Sequence, residues 1–379
     1  MTLSNNKHQS LSNLHLSCLQ QNIPFASYKL PLQSEIITMV QHQSMPEKIE
    51  SIQYINNKSG FLIAPFFETE KNNLYFLTPE KVFENSQIDD EFLQSLASNF
   101  LFKNIVKPSK NEIDTTTKED FIQQVKHAKE AIKDGKFSKV VLSRVKLEKL
   151  HNNFNASDLF LELSTLYPYA FVYMIQLPQV GVWIGASPEP FLIIADEKVQ
   201  TVSLAGTQLA TECEIENYNW TNKEIEEQGI VTSYVEKALH SFSIYDYVLN
   251  GPYNYKAANL IHLKSSFEFK LNDLGQNLGN FINALHPTPS VGGLPKNAAR
   301  DFILEYEKHN RAYYTGFLGP INMHYKSNLF VNLRCLQLFE TQFALYSGAG
   351  ITLASNPENE WDETNNKMKT LMNVITQNP

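Results

Sequence analysis

The segment from Tyr313 to Ile351 constrains the fold most strongly, because apolar and polar residues alternate along it between turn-forming residues. This pattern predicts a meander of antiparallel strands. Other apolar runs predict strands at residues 139–147, 171–177 and 181–194. Helical spacing of apolar residues predicts helices at residues 121–135, 221–242 and 294–309. Strands in meanders with helices between the groups indicate an α+β fold rather than the alternating winding of a parallel sheet.

The composition is that of a globular protein. The chain has 379 residues, 42% of them hydrophobic, and no apolar run reaches the roughly 18 residues that a membrane span needs. Residues 1–22 lack a basic stretch followed by an apolar one, so we expect no secretory signal. The three cysteines, Cys18, Cys213 and Cys335, are an odd number without metal-type spacing, which argues against a disulfide framework. We therefore expect a reduced, cytoplasmic protein that does not associate with membranes.

The charge limits the class of partner. The net charge is −8, and the lysines and arginines are dispersed along the chain. A nucleic acid is therefore not an expected partner. An acidic protein that binds an anion must gather cations locally or use a metal ion.

The C-terminal helix predicted around residue 360 carries Glu360, Glu363 and Lys367 on one stripe. Met368 and Trp361 lie about one position further round the helix, so the charged stripe borders the predicted core. One interpretation is a solvated Glu–Lys ladder that stabilises the helix slightly. The other is that the stripe faces a site.

The helix predicted at residues 221–242 repeats this spacing with Glu224 and Glu227. Glu224 also fits a capping box with Thr221, which is a purely structural role. Two Glu-x-x-Glu pairs on separate helices are also the type of donor set that surrounds a hard divalent cation. Mg²⁺ takes a few carboxylate oxygens and keeps positions for water or an anionic substrate.

Other residues are candidates for proton transfer and anion binding. Lys139 opens a predicted strand and Glu189 lies in the turn of GASPEP; in one enclosed site they would be a general base and a general acid, and elsewhere they are ordinary surface residues. Alternation places Arg334 on one face of a central strand, where a buried arginine needs a partner. His262 and Tyr314 have equally good interpretations as core residues. Backbone N–H groups of two short glycine-containing stretches suit a carboxylate, namely Ala205, Gly206 and Thr207, and Gly348, Ala349 and Gly350.

Over residues 116–375 the sequence resembles the chorismate-binding enzymes, which include isochorismate and salicylate synthases and the large components of anthranilate and aminodeoxychorismate synthases. The motifs occur in order: KVVLSR, GASPEP, SLAGTQ, NKEIEEQ, HLKSS, LHPTPSVGGLP, YYTGFLG, VNLRC and GAGITLASNPENEWDET. The resemblance implies a single α+β domain over 1–379, built from two facing antiparallel sheets flanked by helices. Residues 1–110 would be a variable part that completes the sheets.

The resemblance also implies the reaction type. Lys139 occupies the position of a lysine taken to activate water, and Ala205 occupies the position where aminodeoxychorismate synthases have a nucleophilic lysine. This favours an isochorismate synthase, which adds water to chorismate at C2 and removes the C4 hydroxyl with Glu189 as general acid. The alternatives are a salicylate synthase, an aminating synthase and a non-catalytic chorismate-binding protein. The product would enter menaquinone or siderophore synthesis, and we expect a monomer without a fused glutaminase.

The remaining roles follow from the same resemblance. Mg²⁺ would be bound by Glu227 and Glu363, supported by Glu224 and Glu360. The carboxylates of chorismate would be held by Tyr314, Arg334, Gly348, Ala349, Gly350 and Lys367, and the pocket would also be lined by Ala205, Gly206, Thr207 and His262. The family often has a histidine after the metal-binding glutamate, where this chain has Gln228.

Overall fold

The computed structural model describes residues 2–55, 58–85, 87–97, 113–209, 218–257 and 260–377, without the side chains of residues 2–8, 97, 207–209, 223, 257, 260 and 377. In these ranges the chain forms eighteen strands: β1 Phe25–Lys29, β2 Ile36–Val40, β3 Glu47–Ile49, β4 Gly60–Ala64, β5 Leu74–Leu77, β6 Lys81–Glu84, β7 Lys139–Lys149, β8 Phe171–Leu177, β9 Gly181–Ser187, β10 Pro190–Ala195, β11 Lys198–Leu209, β12 Val248–Ala257, β13 Leu260–Lys270, β14 Gly293–Leu294, β15 Phe317–Ile321, β16 Ser327–Val331, β17 Cys335–Leu338 and β18 Gln342–Ile351. The same ranges contain eight α-helices: α1 Thr2–Gln21, α2 Asp90–Ala97, α3 Lys118–Lys133, α4 Ala156–Leu166, α5 Asn222–Ser241, α6 Leu278–Leu285, α7 Lys296–Tyr306 and α8 Pro357–Gln377.

The described strands form two sheets of nine strands each. The first sheet has the order β14-β7-β18-β17-β9-β8-β1-β2-β6, and the second has the order β12-β13-β11-β10-β16-β15-β4-β5-β3. All the strand pairs are antiparallel. The predicted α+β fold is thus confirmed. The N-terminal part contributes β1, β2 and β6 to the first sheet and β3, β4 and β5 to the second.

The two sheets face each other across a layer of apolar side chains. In β8, Phe171 and Tyr173 point into this layer, while Val172 and Met174 point to the helices on the outer face. Phe171 stacks on Phe330 of β16 in the second sheet, with ring centroids 4.3 Å apart. Because both faces of the first sheet are covered, β8 is buried along its whole length and is apolar except for Gln176.

Helices cover the outer faces of both sheets. Side chains of α1, α2, α4 and α8 pack on the first sheet, and those of α5 and α6 pack on the second. A further cluster joins α3 and α7 to β7 and β18 at one end of the first sheet. In the described ranges, no helix is both long enough and apolar enough to cross a membrane.

Two of the connections at which the chain passes from one sheet to the other lie side by side. Glu189 lies between β9 and β10, and Arg334 lies between β16 and β17. The connections bond to each other: the N–H of Val331 donates to the carbonyl of Glu189 over 3.0 Å, and the N–H of Ala186 donates to the carbonyl of Arg334 over 3.0 Å. These backbone hydrogen bonds therefore hold an acidic residue, Glu189, and a basic residue, Arg334, at the junction of the two sheets.

These connections correct two predictions. The segment Tyr313–Ile351 is not one meander, because β15 and β16 belong to the second sheet and β17 and β18 to the first. Arg334 is not on a strand face; it occupies the linking segment with a φ of 49°. Both sheets bury alternate apolar residues, so the alternation continues through the connection and does not reveal the change of sheet.

The layer between the sheets predicts a large stability effect at Phe171. Phe171→Ala removes a fully buried ring and leaves a cavity against Phe330, so we expect a loss of about 3–5 kcal/mol in the free energy of unfolding. Tyr325, which is 97% exposed, provides the control: Tyr325→Ala should change that free energy by no more than about 0.5 kcal/mol. Denaturant titration measures both variants, and equal effects would contradict the facing-sheet core.

Candidate active site

A cavity of about 410 Å³ lies where the layer between the sheets opens near β7 and β18. It is lined from the first sheet, the second sheet and the N-terminal halves of α5 and α8. Of the predicted site residues, the following line it: Glu189, Ala205, Gly206, Glu224, Glu227, His262, Tyr314, Arg334, Gly348, Gly350, Glu360, Glu363 and Lys367. The structure thus brings together residues that are more than 170 positions apart in the sequence.

The charged stripe of α8 faces this cavity. The helix begins after Asn356, whose Oδ1 accepts hydrogen bonds from the N–H groups of Glu358 and Asn359 over 3.0 and 3.2 Å. Lys367 Nζ donates to Glu363 Oε1 over 2.6 Å and to the carbonyl of Gly348 over 2.9 Å. Glu360 is only 3% exposed. The stripe is therefore not a ladder in bulk solvent.

The glycines at 348 and 350 belong to strand β18. Residues 348–350 pair with Leu142 and its neighbours on β7. An added Cβ at Gly348 would lie 2.9 Å from the carbonyl oxygen of Leu142 and 3.1 Å from Tyr314 Oη. Strand alternation points Ala349 the other way, into the cluster with α3, where it is fully buried. Its side chain therefore does not line the cavity.

Lys139 lies directly behind the cavity wall. Its Nζ donates to Glu227 Oε1 over 2.5 Å, and the lysine is 1% exposed. An added Cβ at Gly350 would lie 3.1 Å from Glu227 Oε1 and 3.2 Å from Lys139 Cε. The absence of a side chain at Gly350 therefore gives the ion pair its space.

The start of α5 combines a capping role with a position in the cavity. Glu224 completes the predicted capping box with Thr221, whose N–H donates to Glu224 Oε2 over 3.0 Å. Gln228 follows Glu227 and is 2% exposed. Its amide nitrogen donates to the carbonyl of Ser203 over 3.0 Å and to Ser265 Oγ over 3.1 Å. Where the family often has a histidine, this glutamine fixes α5 to β11 and β13.

Burial of Glu189 makes it a candidate acid. The side chain is 5% exposed, and burial raises its pKa to about 8, although the positive charges of Lys139, Lys367 and Arg334 partly oppose this. Burial therefore favours the protonated form of Glu189 at neutral pH. A group with this protonation state can donate a proton to a departing oxygen.

Three further side chains keep defined charge states in the cavity. Burial lowers the pKa of Arg334 to about 10, so the guanidinium remains positive; its Nη1 donates to the carbonyl of Lys367 over 3.3 Å. Burial lowers the pKa of His262 to about 3, so the imidazole is neutral, and its Nδ1 lies 3.0 Å from the carbonyl oxygen of Gly206. Burial raises the pKa of Tyr314, which stacks on Tyr346 at 5.5 Å and keeps its phenol neutral.

The chain matches the family model described as Chorismate binding enzyme over residues 4–376. It belongs to the chorismate-binding enzyme family. The isochorismate synthase EntC of Escherichia coli K12 is 31% identical over 261 residues, which are 67% of this chain and 66% of EntC. The match thus spans slightly less than two thirds of that relative.

Two solved structures of similar architecture show the same fold. DhbC from Bacillus anthracis superposes with a TM-score of 0.76 and 23% identity, covering 97% of this chain and 100% of the other. MenF, the menaquinone-specific isochorismate synthase from Escherichia coli, has a TM-score of 0.75 and 22% identity and covers 95% and 91% of the two chains. The arrangement of two facing sheets in this chorismate-binding enzyme is therefore that of solved isochorismate synthase structures.

The cavity of this chorismate-binding enzyme also contains residues that the sequence reasoning did not single out. Ser290 and Val291 line it from the LHPTPSVGGLP segment, and Thr315, Leu333 and Asn356 are also among its lining residues. Ser290, Val291 and Asn356 lie within the family motifs LHPTPSVGGLP and GAGITLASNPENEWDET, and Asn356 also has the helix-start signal of an Asn-Pro pair. The side chain of Thr207 lies outside the described residues.

The four glutamates fit a hard divalent cation by their chemistry. Glu224, Glu227, Glu360 and Glu363 line one cavity, and Mg²⁺ prefers such carboxylate oxygens. They are not a ready-made cluster: in the described part of the chain, no three His, Cys, Asp or Glu side chains are grouped so that they could hold a metal ion. Lysines hold Glu227 and Glu363 in the present arrangement. Metal binding at these residues thus requires side-chain rearrangement.

The raised pKa of Glu189 predicts a stability that depends on pH. Between about 4.5, the ordinary value, and about 8, the folded chain holds a proton that the unfolded chain releases. Stability therefore falls as pH rises through this window. Glu189→Gln has no titrating group at this position, so its stability does not fall in this window for that reason. The free energy of unfolding of the variant minus that of the wild type should therefore increase by on the order of a few kcal/mol from the low-pH end to the high-pH end. Urea titration at both ends tests this, and a constant difference would contradict burial of the acid.

The space at Gly350 predicts opposite effects for two glycine substitutions. Gly350→Ala crowds Lys139 and Glu227, so we expect a loss of about 1–3 kcal/mol in the free energy of unfolding. Gly229 in α5 has no atom within 4 Å of an added Cβ. Gly229→Ala should therefore stabilise the protein by about 0.5–1 kcal/mol. Thermal unfolding of the two variants measures both changes, and stabilisation by both would contradict the described contact.

Proposed function

We propose that this protein is an isochorismate synthase that uses Mg²⁺ and converts chorismate to isochorismate. One observation carries the proposal: Glu189, a carboxylic acid whose pKa is raised by burial, lines one cavity with Arg334 and Lys367, and Lys139 lies directly behind the wall of that cavity at Gly350. Family membership and the likeness to EntC support chorismate as the substrate.

Binding of a dianion to a chain of net charge −8 is explained by local cations. Arg334, Lys367 and the phenol of Tyr314 offer donors to the substrate carboxylates in a site largely closed to water. Mg²⁺ would be held by Glu227 and Glu363, with Glu224 and Glu360 beside them, and when bound it supplies positive charge for a ring carboxylate.

Proton transfer would then need two groups. The ammonium of Lys139, which pairs with Glu227 over 2.5 Å, must first lose its proton. The resulting amine then takes a proton from the water that attacks C2. Glu189 gives its proton to the departing C4 hydroxyl, which leaves as water while both ring double bonds shift, from C1=C2 and C5=C6 to C1=C6 and C4=C5. Both charges develop in a buried environment, where fixed donors stabilise them most strongly.

The residue at 205 favours water over ammonia as the incoming group. Ala205 lines the cavity with a methyl group and offers no nucleophile. A salicylate synthase would perform the same addition and then eliminate pyruvate. Product analysis separates the candidate functions. An isochorismate synthase forms isochorismate, a salicylate synthase forms salicylate and pyruvate, and a non-catalytic chorismate-binding protein forms no product.

The proposed base predicts a specific defect. With chorismate and Mg²⁺, the wild type should form isochorismate, and Lys139→Ala should lower kcat by about 10²–10⁴-fold because no group accepts the proton of water. Binding of chorismate, measured by calorimetry, should persist. Lys146 on the same strand has a 48% exposed side chain, so Lys146→Ala is the matched control and should retain activity. Full activity of the Lys139 variant would contradict the mechanism, and salicylate as the wild-type product would replace the proposed function.

A further inference from the structure

A buried ion pair next to the cavity ties together three segments of the chain. Arg311 is 4% exposed, and its guanidinium contacts Glu307 twice, with Nε to Oε2 at 2.8 Å and Nη2 to Oε1 at 2.5 Å. The same guanidinium donates to the carbonyls of Val141 and Val291 over 2.6 and 3.0 Å, and to Thr315 Oγ1 over 3.4 Å. These contacts use all five N–H donors that an arginine possesses.

Glu307 completes the attachment to β7. It accepts hydrogen bonds from the N–H of Ser143 over 2.6 Å and from Ser143 Oγ over 3.0 Å. Burial favours its neutral form, but Arg311 and the hydrogen bonds outweigh burial, so the pKa of Glu307 lies below its ordinary value. Ser143 Oγ also lies 2.9 Å from His309 Nε2, and the guanidinium of Arg311 lies over the ring of Phe66 at 4.3 Å. The pair is therefore charged and enclosed on several sides.

The three segments fastened by Arg311 all contribute to the substrate cavity. Val141, Val291 and Thr315 line it, whereas Arg311 and Glu307 are not among its described lining residues. Val141 is two residues from Lys139 on β7, and Thr315 follows Tyr314. The ion pair thus connects the strand of the proposed base, the HPTP segment and the wall that carries the tyrosine.

We propose that Arg311 and Glu307 are a positioning pair that fixes these three walls relative to one another and so sets the fit of the substrate. The expected change in KM rests on the proposed function, whereas the expected change in hydrogen exchange does not. Only a planar guanidinium reaches the carboxylate and the three other acceptors at once. A lysine has three donors at a single point and leaves some of these buried acceptors without a partner.

Arg311→Lys tests the pair. We expect the KM for chorismate to rise about tenfold or more, which is the effect of losing one or two hydrogen bonds to a charged group, with a smaller change in kcat. Hydrogen exchange of the amides should accelerate in residues 139–145, 286–293 and 313–316, and not in β8. Ser143→Ala keeps both charges and should show the same pattern with smaller amplitude, which covers the case that the lysine variant does not fold.

A matched control separates positioning from loss of stability. Ser27 belongs to another buried polar network, with its Oγ 2.7 Å from His15 Nε2 and 2.8 Å from Thr38 Oγ1, and none of these three residues lines the cavity. Ser27→Ala should lower the melting temperature without changing the KM.

The KM values and the exchange rates of the variants decide whether Arg311 and Glu307 are a positioning pair. The proposal is supported if the Arg311 or Ser143 variant shows a raised KM together with faster local exchange and the Ser27 variant shows neither. An unchanged KM, or an equal KM change in the Ser27 variant, overturns it. If the wild type forms no product from chorismate, the proposed function fails, and exchange alone decides: local acceleration supports the pair and unchanged exchange overturns it.

Discussion

The hydrogen bonds between the two connections that join the sheets are the constraint on which the site depends. The β9–β10 and β16–β17 connections bond to each other through the backbone of Val331, Glu189, Ala186 and Arg334. If either connection moved alone, it would leave a buried N–H or C=O without its partner, which is costly. The proposed acid and a substrate-binding cation are consequently set by main-chain geometry and not by flexible loops.

Charge inside the cavity follows from burial. The chain is acidic as a whole, yet three cations, Lys139, Arg334 and Lys367, gather around Glu189 at the sheet junction. Their combined field opposes the effect of burial on this carboxyl only in part, so the proton stays. A site of this kind offers positive charge to an anion and still retains an acid, two properties that would be hard to combine in exposed side chains.

The sequence predicts the site best where the local period of a helix or strand determines the direction in which a side chain points. Glu360 and Glu363 share a face because a helix has a fixed period, and the capping box of Glu224 is a local pattern. The position of Arg334 was not predictable in this way, since alternation looks the same on either side of the change of sheet. Arg311 and Glu307 give no periodic signal at all, because their importance comes from contacts with segments that are distant in sequence.

The two glycines of β18 place a limit on how this protein can change. Gly348 and Gly350 keep the strand thin beside Tyr314 and the Lys139–Glu227 pair, so that the strand itself forms the wall of the cavity. A single methyl group at either position would occupy space that the proposed substrate or the side chains of the protein's own site need. New substrates of larger size would therefore have to be accommodated through the opposite wall, at Leu204, Ala205 or Leu333, where side chains can be shortened without touching the strand.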